Sequence, residues 1–187
     1  QARPLPNWCY TSQAFFDLEI ERIFKKAWNY VGHDSQIREA GDFFCLDITG
    51  IPIIVIRGDD GEVRAFYNAC RHRGSRITSG EGNCRKLICP YHRWTYERDG
   101  QLSGTPLIEE DAHLRHADLA LLPVRMERWF GFLFVTFDDS AQPLMDWLGD
   151  LPETCASYSP ADLVCTRRMT WDVAANWKLH FENFNDS

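Results

Sequence analysis

Over residues 11–28 the apolar positions Phe16, Ile20, Ile23, Phe24 and Ala27 recur at helical spacing, which predicts one stripe of an amphipathic helix. Asp17, Glu19 and Glu21 come early and Lys25 and Lys26 late, as the helix dipole favours, and Thr11 or Ser12 can cap the start. From about Gly41 the pattern shortens to strand-length runs at 43–48, 51–56 and 63–67. Residues 122–129 and 130–137 read as a later strand pair bending near Gly131. Asp59-Asp60-Gly61 and Asp99-Gly100 are hairpin signals. Past Pro143 helical spacing returns, first in a short piece at 146–151. It returns again over 172–184, where Val173, Trp177, Phe181 and Phe184 share a face; 157–162 reads as a linker. The pattern predicts an α+β chain. An all-β unit over 39–140 follows a helical segment 1–38 and precedes, over 141–187, the start of a second, α+β domain.

The 187 residues suffice for one good-sized domain, or one domain and part of another. A hydrophobic share of 44% and a charged share of 25% are ordinary for a globular chain, and 13% aromatics promise a substantial core. The net charge of −7 argues against nucleic acid or anionic membrane as a partner. It suits solubility, and equally docking to a basic electron-transfer partner. The longest apolar run, 130–137, contains Gly131 and is too short to cross a bilayer. The chain starts without Met and stops at Asn185-Asp186-Ser187 in mid-pattern, so it is expected to be a piece of a longer product.

Seven cysteines (Cys9, Cys45, Cys70, Cys84, Cys89, Cys155 and Cys165) are odd in number and scattered. They read as cytoplasmic thiols plus a metal site, not as a disulfide framework. Cys70-Arg-His72-Arg-Gly74 and Cys89-Pro-Tyr-His92 spell C-x-H, sixteen residues, then C-x-x-H. Each half puts one thiol and one imidazole on a tight turn, with Gly74 and Pro90 shaping the backbone. Two such loops facing each other can grip a Rieske-type [2Fe–2S] cluster, with Cys70 and Cys89 on one iron and His72 and His92 on the other. Replacing two thiolates by neutral imidazoles removes negative charge and raises the potential. The outer imidazole nitrogens carry protons that can bond to an electron acceptor. The competing reading is a structural Cys2His2 zinc site, which usually pairs like with like as C-x2–4-C and H-x3–5-H.

Other candidates are weaker. Cys84, five residues before Cys89, mimics a plant-type ferredoxin spacing, but His92 stands where that pattern wants Cys, so Cys84 reads as a loop thiol. His113 and His116 are set among charged residues as on a solvated face, and Gly80-Glu-Gly82 lacks the third glycine of a dinucleotide loop. His180, mid-helix, reads as a packed histidine.

The segments NACRHRG (68–74), CPYHRWTYERDGQL (89–102) and ANWKLHFENFNDS (175–187) resemble the large (α) subunit of Rieske non-haem iron ring-hydroxylating oxygenases. The resemblance extends over nearly the whole chain, including WNYVGH (28–33). It implies a Rieske domain that passes electrons, drawn from NADH through a reductase or ferredoxin, to a mononuclear iron(II). That iron is held in a larger C-terminal domain by two His and a carboxylate beyond residue 187. Oxygen from O2 then enters an aromatic or similar small organic substrate. By its place in the ENF-x-D pattern Asp186 matches the family's bridging aspartate, which links an iron-bound His to a Rieske His of the neighbouring subunit, here His92. Asn183 lies near the mononuclear iron by the same analogy. The plainer reading is that Asp186 and Asn183 cap a helix end. The resemblance also implies a ring-shaped homo-oligomer such as a trimer, in some members with a β subunit. Arg93 stands where the family usually has Gly. Ser75 and Tyr91 stand where respiratory Rieske proteins carry extra cysteines, and Trp94 replaces a hydrogen-bonding Ser, so a lower-potential cluster is expected. The alternative from another class is a ferredoxin-type Rieske electron carrier, which has no need for the N-terminal helix or for residues 172–187.

Overall fold

The computed structural model describes residues 5–106 and 116–185. Two helices open it, α1 (Trp8–Thr11) and α2 (Gln13–Glu19), the second capped by Ser12, whose Oγ accepts from the Phe15 amide at 3.3 Å. The stripe expected to run unbroken to residue 28 instead passes into a π-helical turn at Ile20–Phe24. Ile23, placed on the buried stripe by spacing, is exposed, while Glu19, placed among the solvated charges, is buried.

β1 (Asn29–His33) follows, a strand the alternation pattern did not announce because its pairing shifts register between Tyr30 and Gly32. Next come β2 (Asp42–Ile48), β3 (Ile51–Arg57) and β4 (Val63–Tyr67), within a residue of the runs expected from sequence. Three short strands follow: β5 (Glu81–Asn83), β6 (Leu87–Ile88) and β7 (Thr95–Tyr96). The β part ends with β8 (Leu102–Gly104), β9 (Pro123–Trp129) and β10 (Phe132–Thr136). Phe130 and Gly131, at φ 47° and 85°, make the tight turn between the last two, as the glycine suggested.

The strands form an antiparallel seven-stranded sheet in the order β1-β10-β9-β4-β3-β2-β5 and a three-stranded sheet β6-β7-β8. β3 explains its own apolar run: Ile53 and Val55 face one core, Ile54 and Ile56 the other, and all four are fully buried. The Ile54 face packs with Phe43 and Phe66 against Leu87, Trp94, Tyr96 and Leu102, and with Cys70 and Cys89. This core is the floor of the site. The opposite core gathers Val31, Ile37, Phe44, Leu133 and Val135.

Past β10, α3 (Leu144–Leu148) and α4 (Leu151–Cys155) replace the one short helix expected at 146–151, because Gly149 at φ 60° breaks the run. The linker expected at 157–162 holds two 3-10 turns. α5 (Trp177–Asn185) starts five residues later than its spacing suggested, and Phe181 and Phe184 on its expected apolar face are exposed. Among the described residues no helix is long and apolar enough to cross a membrane.

Candidate metal centre

Two loops rise from the floor core with the same backbone. In the first, the Cys70 amide donates to the Ser75 carbonyl (2.8 Å) and the Gly74 amide donates back to the Cys70 carbonyl (2.8 Å). In the second, the Cys89 amide donates to Trp94 O (2.8 Å) and the Arg93 amide donates back to Cys89 O (3.0 Å). The fourth residue after each cysteine is left-handed, Gly74 at φ 70° and Arg93 at φ 62°. That conformation is why glycine is usual at this position and why arginine is strained there.

The two thiols are buried in the floor, while His72 and His92 are half-buried above them. The imidazole rings lie 4.7 Å apart, centroid to centroid. His72 stacks flat on buried Trp94 (4.8 Å, 9° between planes), and His92 stacks on exposed Tyr91 (3.8 Å). Trp94 and Tyr91 therefore fix both ring planes. All four residues singled out from the sequence are brought together.

The polar atoms fit a metal cluster. His72 Nδ1 is buried with no hydrogen-bond partner; among the described residues only His33 Nε2, Arg71 Nε and Trp129 Nε1 share that condition. An unpartnered buried imidazole nitrogen at a thiol–imidazole site is what a ligand atom looks like. Burial, with His92 and Arg73 nearby, holds His72 below the usual histidine range, which favours the neutral ring a metal requires. Burial pushes the Cys70 thiol up, and the neighbouring Cys89 adds to this, whereas the Tyr96 hydroxyl opposes it. Tyr96 Oη accepts from the Arg71 amide (3.0 Å), so its own proton is free for Cys70 Sγ at 3.2 Å. Among the described residues no three or more His, Cys, Asp or Glu gather as they would about a single ion. Here thiol lies beside thiol and imidazole beside imidazole, which suits two irons rather than one zinc.

Behind the first loop, buried Asn68 fixes the chain's return. Its Oδ1 accepts from the amides of Ile77 (2.9 Å) and Thr78 (3.3 Å), and its Nδ2 donates to Thr78 O (2.8 Å). Arg73 and Arg93 are exposed beside the histidines, so the tip is basic although the chain is acidic. Sequence reasoning missed Asn68 and the hydroxyl of Tyr96; a tyrosine two residues after Trp94 gave no spacing signal.

The remaining candidates lie elsewhere. Asn183 is exposed on α5, and Asp186 lies outside the described residues, as does His113. His116 opens a 3-10 turn, His116–Leu119. His180 is exposed rather than packed, because α5 turns that side outward. Cys84 is a half-buried loop thiol against the floor core, as expected.

Comparison with known proteins agrees with this geometry. Residues 27–123 match the Rieske [2Fe–2S] domain family. The carnitine monooxygenase oxygenase subunit of Escherichia coli (strain K12) is 37% identical over 187 residues, covering 98% of this chain and 50% of that protein. The glycine betaine monooxygenase oxygenase subunit of Chromohalobacter salexigens is 39% identical over 182 residues, covering 96% of this chain and 40% of that protein. Among solved structures, the apo form of a quaternary ammonium Rieske monooxygenase superposes with a TM-score of 0.90 at 33% identity, covering 97% of this chain and 54% of that one. Naphthalene 1,2-dioxygenase from Rhodococcus sp. gives 0.85 at 37% identity, covering 91% and 40%. The chain thus spans about half the length of the curated relatives it matches. It belongs to the Rieske [2Fe–2S] family and corresponds to the N-terminal part of the oxygenase (α) subunits of Rieske non-haem iron oxygenases.

Proposed function

We propose that Cys70 and Cys89 hold one iron of the [2Fe–2S] cluster and His72 and His92 the other, in the oxygenase component of a Rieske monooxygenase or dioxygenase. The observation that carries this is the pair of backbone-equivalent loops that bring two thiols and two imidazoles to one tip, leaving His72 Nδ1 for a metal. When bound, the cluster supplies one-electron transfer at a potential raised by its imidazoles. The chain's residues do the rest. The floor core keeps water from the thiols, Tyr96 donates to Cys70 Sγ, and Trp94 and Tyr91 hold the imidazole planes. His92, half-exposed, offers its outer ring nitrogen to an electron acceptor.

In this reading electrons originate from NADH and arrive through a reductase or ferredoxin presenting acidic groups to Arg73 and Arg93. They leave toward a mononuclear iron(II) whose ligands lie beyond residue 187. Asp186 carries the link to the partner subunit's His92 within a homo-oligomer such as a trimer, with or without a β subunit, and Asn183 lies near that iron. Segments 1–38 and 141–187 flank the Rieske unit 39–140 and belong with the catalytic domain, which the contacts between α2 and α5 support. The reducing cytoplasm suits both the thiols and the cluster. The substrate named for several relatives (carnitine, glycine betaine, choline) favours a quaternary ammonium compound over the aromatic one the resemblance implied.

Low-temperature EPR of the dithionite-reduced full-length protein, repeated under nitric oxide, tests this. A Rieske-type signal joined by a high-spin iron–nitrosyl signal supports the oxygenase. A Rieske signal alone identifies an electron carrier, and no cluster signal refutes the ligand assignment.

A further inference from the structure

Glu19 at the end of α2 and Lys178 at the start of α5 are both buried, and they meet. Lys178 Nζ donates to both carboxylate oxygens of Glu19, at 2.7 and 2.9 Å, and the Trp177 indole N–H donates to Glu19 Oε2 at 3.1 Å. The same ammonium lies 5.4–5.6 Å from the ring centres of Tyr10, Phe15 and Trp177, a cage of three aromatic faces. One turn further along α5, Glu182 accepts from the Tyr10 hydroxyl at 2.6 Å. The N-terminal helices thus grip α5 at two successive turns of one face.

The π-helical turn belongs to this grip. Residues five apart on an α-helix face directions about 140° apart at 3.6 residues per turn. The turn at Ile20–Phe24, with the Lys25 amide bonded to Ile20 O at 3.0 Å, closes that gap. Glu19 and Phe24 consequently both reach Trp177, the first through the indole N–H and the second ring to ring at 5.2 Å. A buried ion pair is a weak source of stability but an effective one of register, since any slide or rotation strips the ammonium of its acceptors.

We propose that Glu19 and Lys178 are positioning residues. The pair sets the axial and rotational place of α5, and with it Asn183, for the electron hand-off from the cluster. This rests on the oxygenase reading above. Asn183, five residues past Lys178, stands away from the gripped face and is exposed.

The test uses the full-length, cluster-loaded protein and the double variant Glu19→Gln/Lys178→Met, which removes both charges and keeps side-chain length and the indole's acceptor. A nitroxide amino acid at exposed position 180 reports its dipolar distance to the reduced cluster. Freeze-quench EPR follows cluster reoxidation on mixing with oxygen and carnitine, glycine betaine or choline. The wild type is expected to give a narrow shortest distance, to whichever subunit's cluster lies nearer. In the variant the distance broadens and reoxidation slows about tenfold or more, with cluster g values and potential unchanged. A variant that keeps the narrow distance, or the wild-type rate, overturns the proposal. Should the double variant not accumulate, Glu19→Gln alone carries the same expectations. A wild-type cluster that reoxidises with none of the three compounds overturns the quaternary ammonium assignment, and the distance measurement then decides the proposal by itself.

Discussion

At Arg93 the backbone holds a left-handed residue that its equivalent, Gly74, accepts without strain. Arg93→Gly relieves an αL penalty of about 1–2 kcal/mol and gives back ~0.5–1 kcal/mol of chain entropy, for a net gain of roughly 0.5–1 kcal/mol. A higher urea midpoint with an unchanged cluster spectrum is the expected result; an unchanged or lower midpoint refutes it. Tyr96→Phe removes a donor to Cys70 Sγ, which leaves the sulfur more electron-rich. A net hydrogen bond of about 0.5–1.5 kcal/mol corresponds to a midpoint lowered by ~20–60 mV for one electron. An EPR-monitored redox titration decides. The pattern of Cys70, His72, Cys89 and His92 was legible in the sequence because metal chemistry demands fixed residue types at fixed spacing. The sequence left Tyr96 and Asn68 illegible, because a hydrogen bond to a loop can come from many positions.

At the level of elements the two faces of β3 separate two kinds of failure. Ile53→Ala and Ile54→Ala each delete a fully buried side chain and are each expected to cost about 2–5 kcal/mol. Ile54 shares its core with Cys70 and Cys89 and Ile53 does not. Iron content after dialysis against a chelator is therefore expected to fall in Ile54→Ala and to hold in Ile53→Ala; equal loss in both refutes the division. Strands β2, β3 and β4 were legible almost to the residue, since β-branched runs between turn residues have few other readings, whereas the short β6, β7 and β8 of the same core carried no such run. The π-helical turn was not legible, because what it serves, the approach of Glu19 and Phe24 to Trp177, is a contact more than 150 residues away.

For the molecule as a whole, part of the pH response sits at Asp138, which is tied to its own turn and to a distant segment. Asp138, at the end of β10, is held down to about 2 by hydrogen bonds from Ser140 and then from Lys26. A carboxyl whose folded pKa is depressed contributes stability that is present above its unfolded value near 3.8 and lost as pH falls toward 2. Asp138→Asn should therefore lower the urea midpoint at pH 6, with the gap to wild type narrowing below pH 4. A gap that is constant from pH 6 to pH 3 excludes this origin. A net charge of −7 does not describe the tip, where Arg73 and Arg93 are exposed beside His72 and His92.

The order of strands also implies an order of assembly. β2, β3 and β4 pair with their sequence neighbours, whereas β1 waits for β10 and Glu19 waits for Lys178. Local pairings close before distant ones because shorter loops lose less entropy. On the ribosome, every strand beneath the two Cys–His loops has emerged once residue 104 is out, long before the sheet edge or α5 can dock. Pulse-labelled hydrogen exchange during refolding is expected to protect β2–β4 first and α5 last; simultaneous protection would show a single concerted step. A chain that builds its metal floor early is ready to receive iron and sulfide while the rest is still being made.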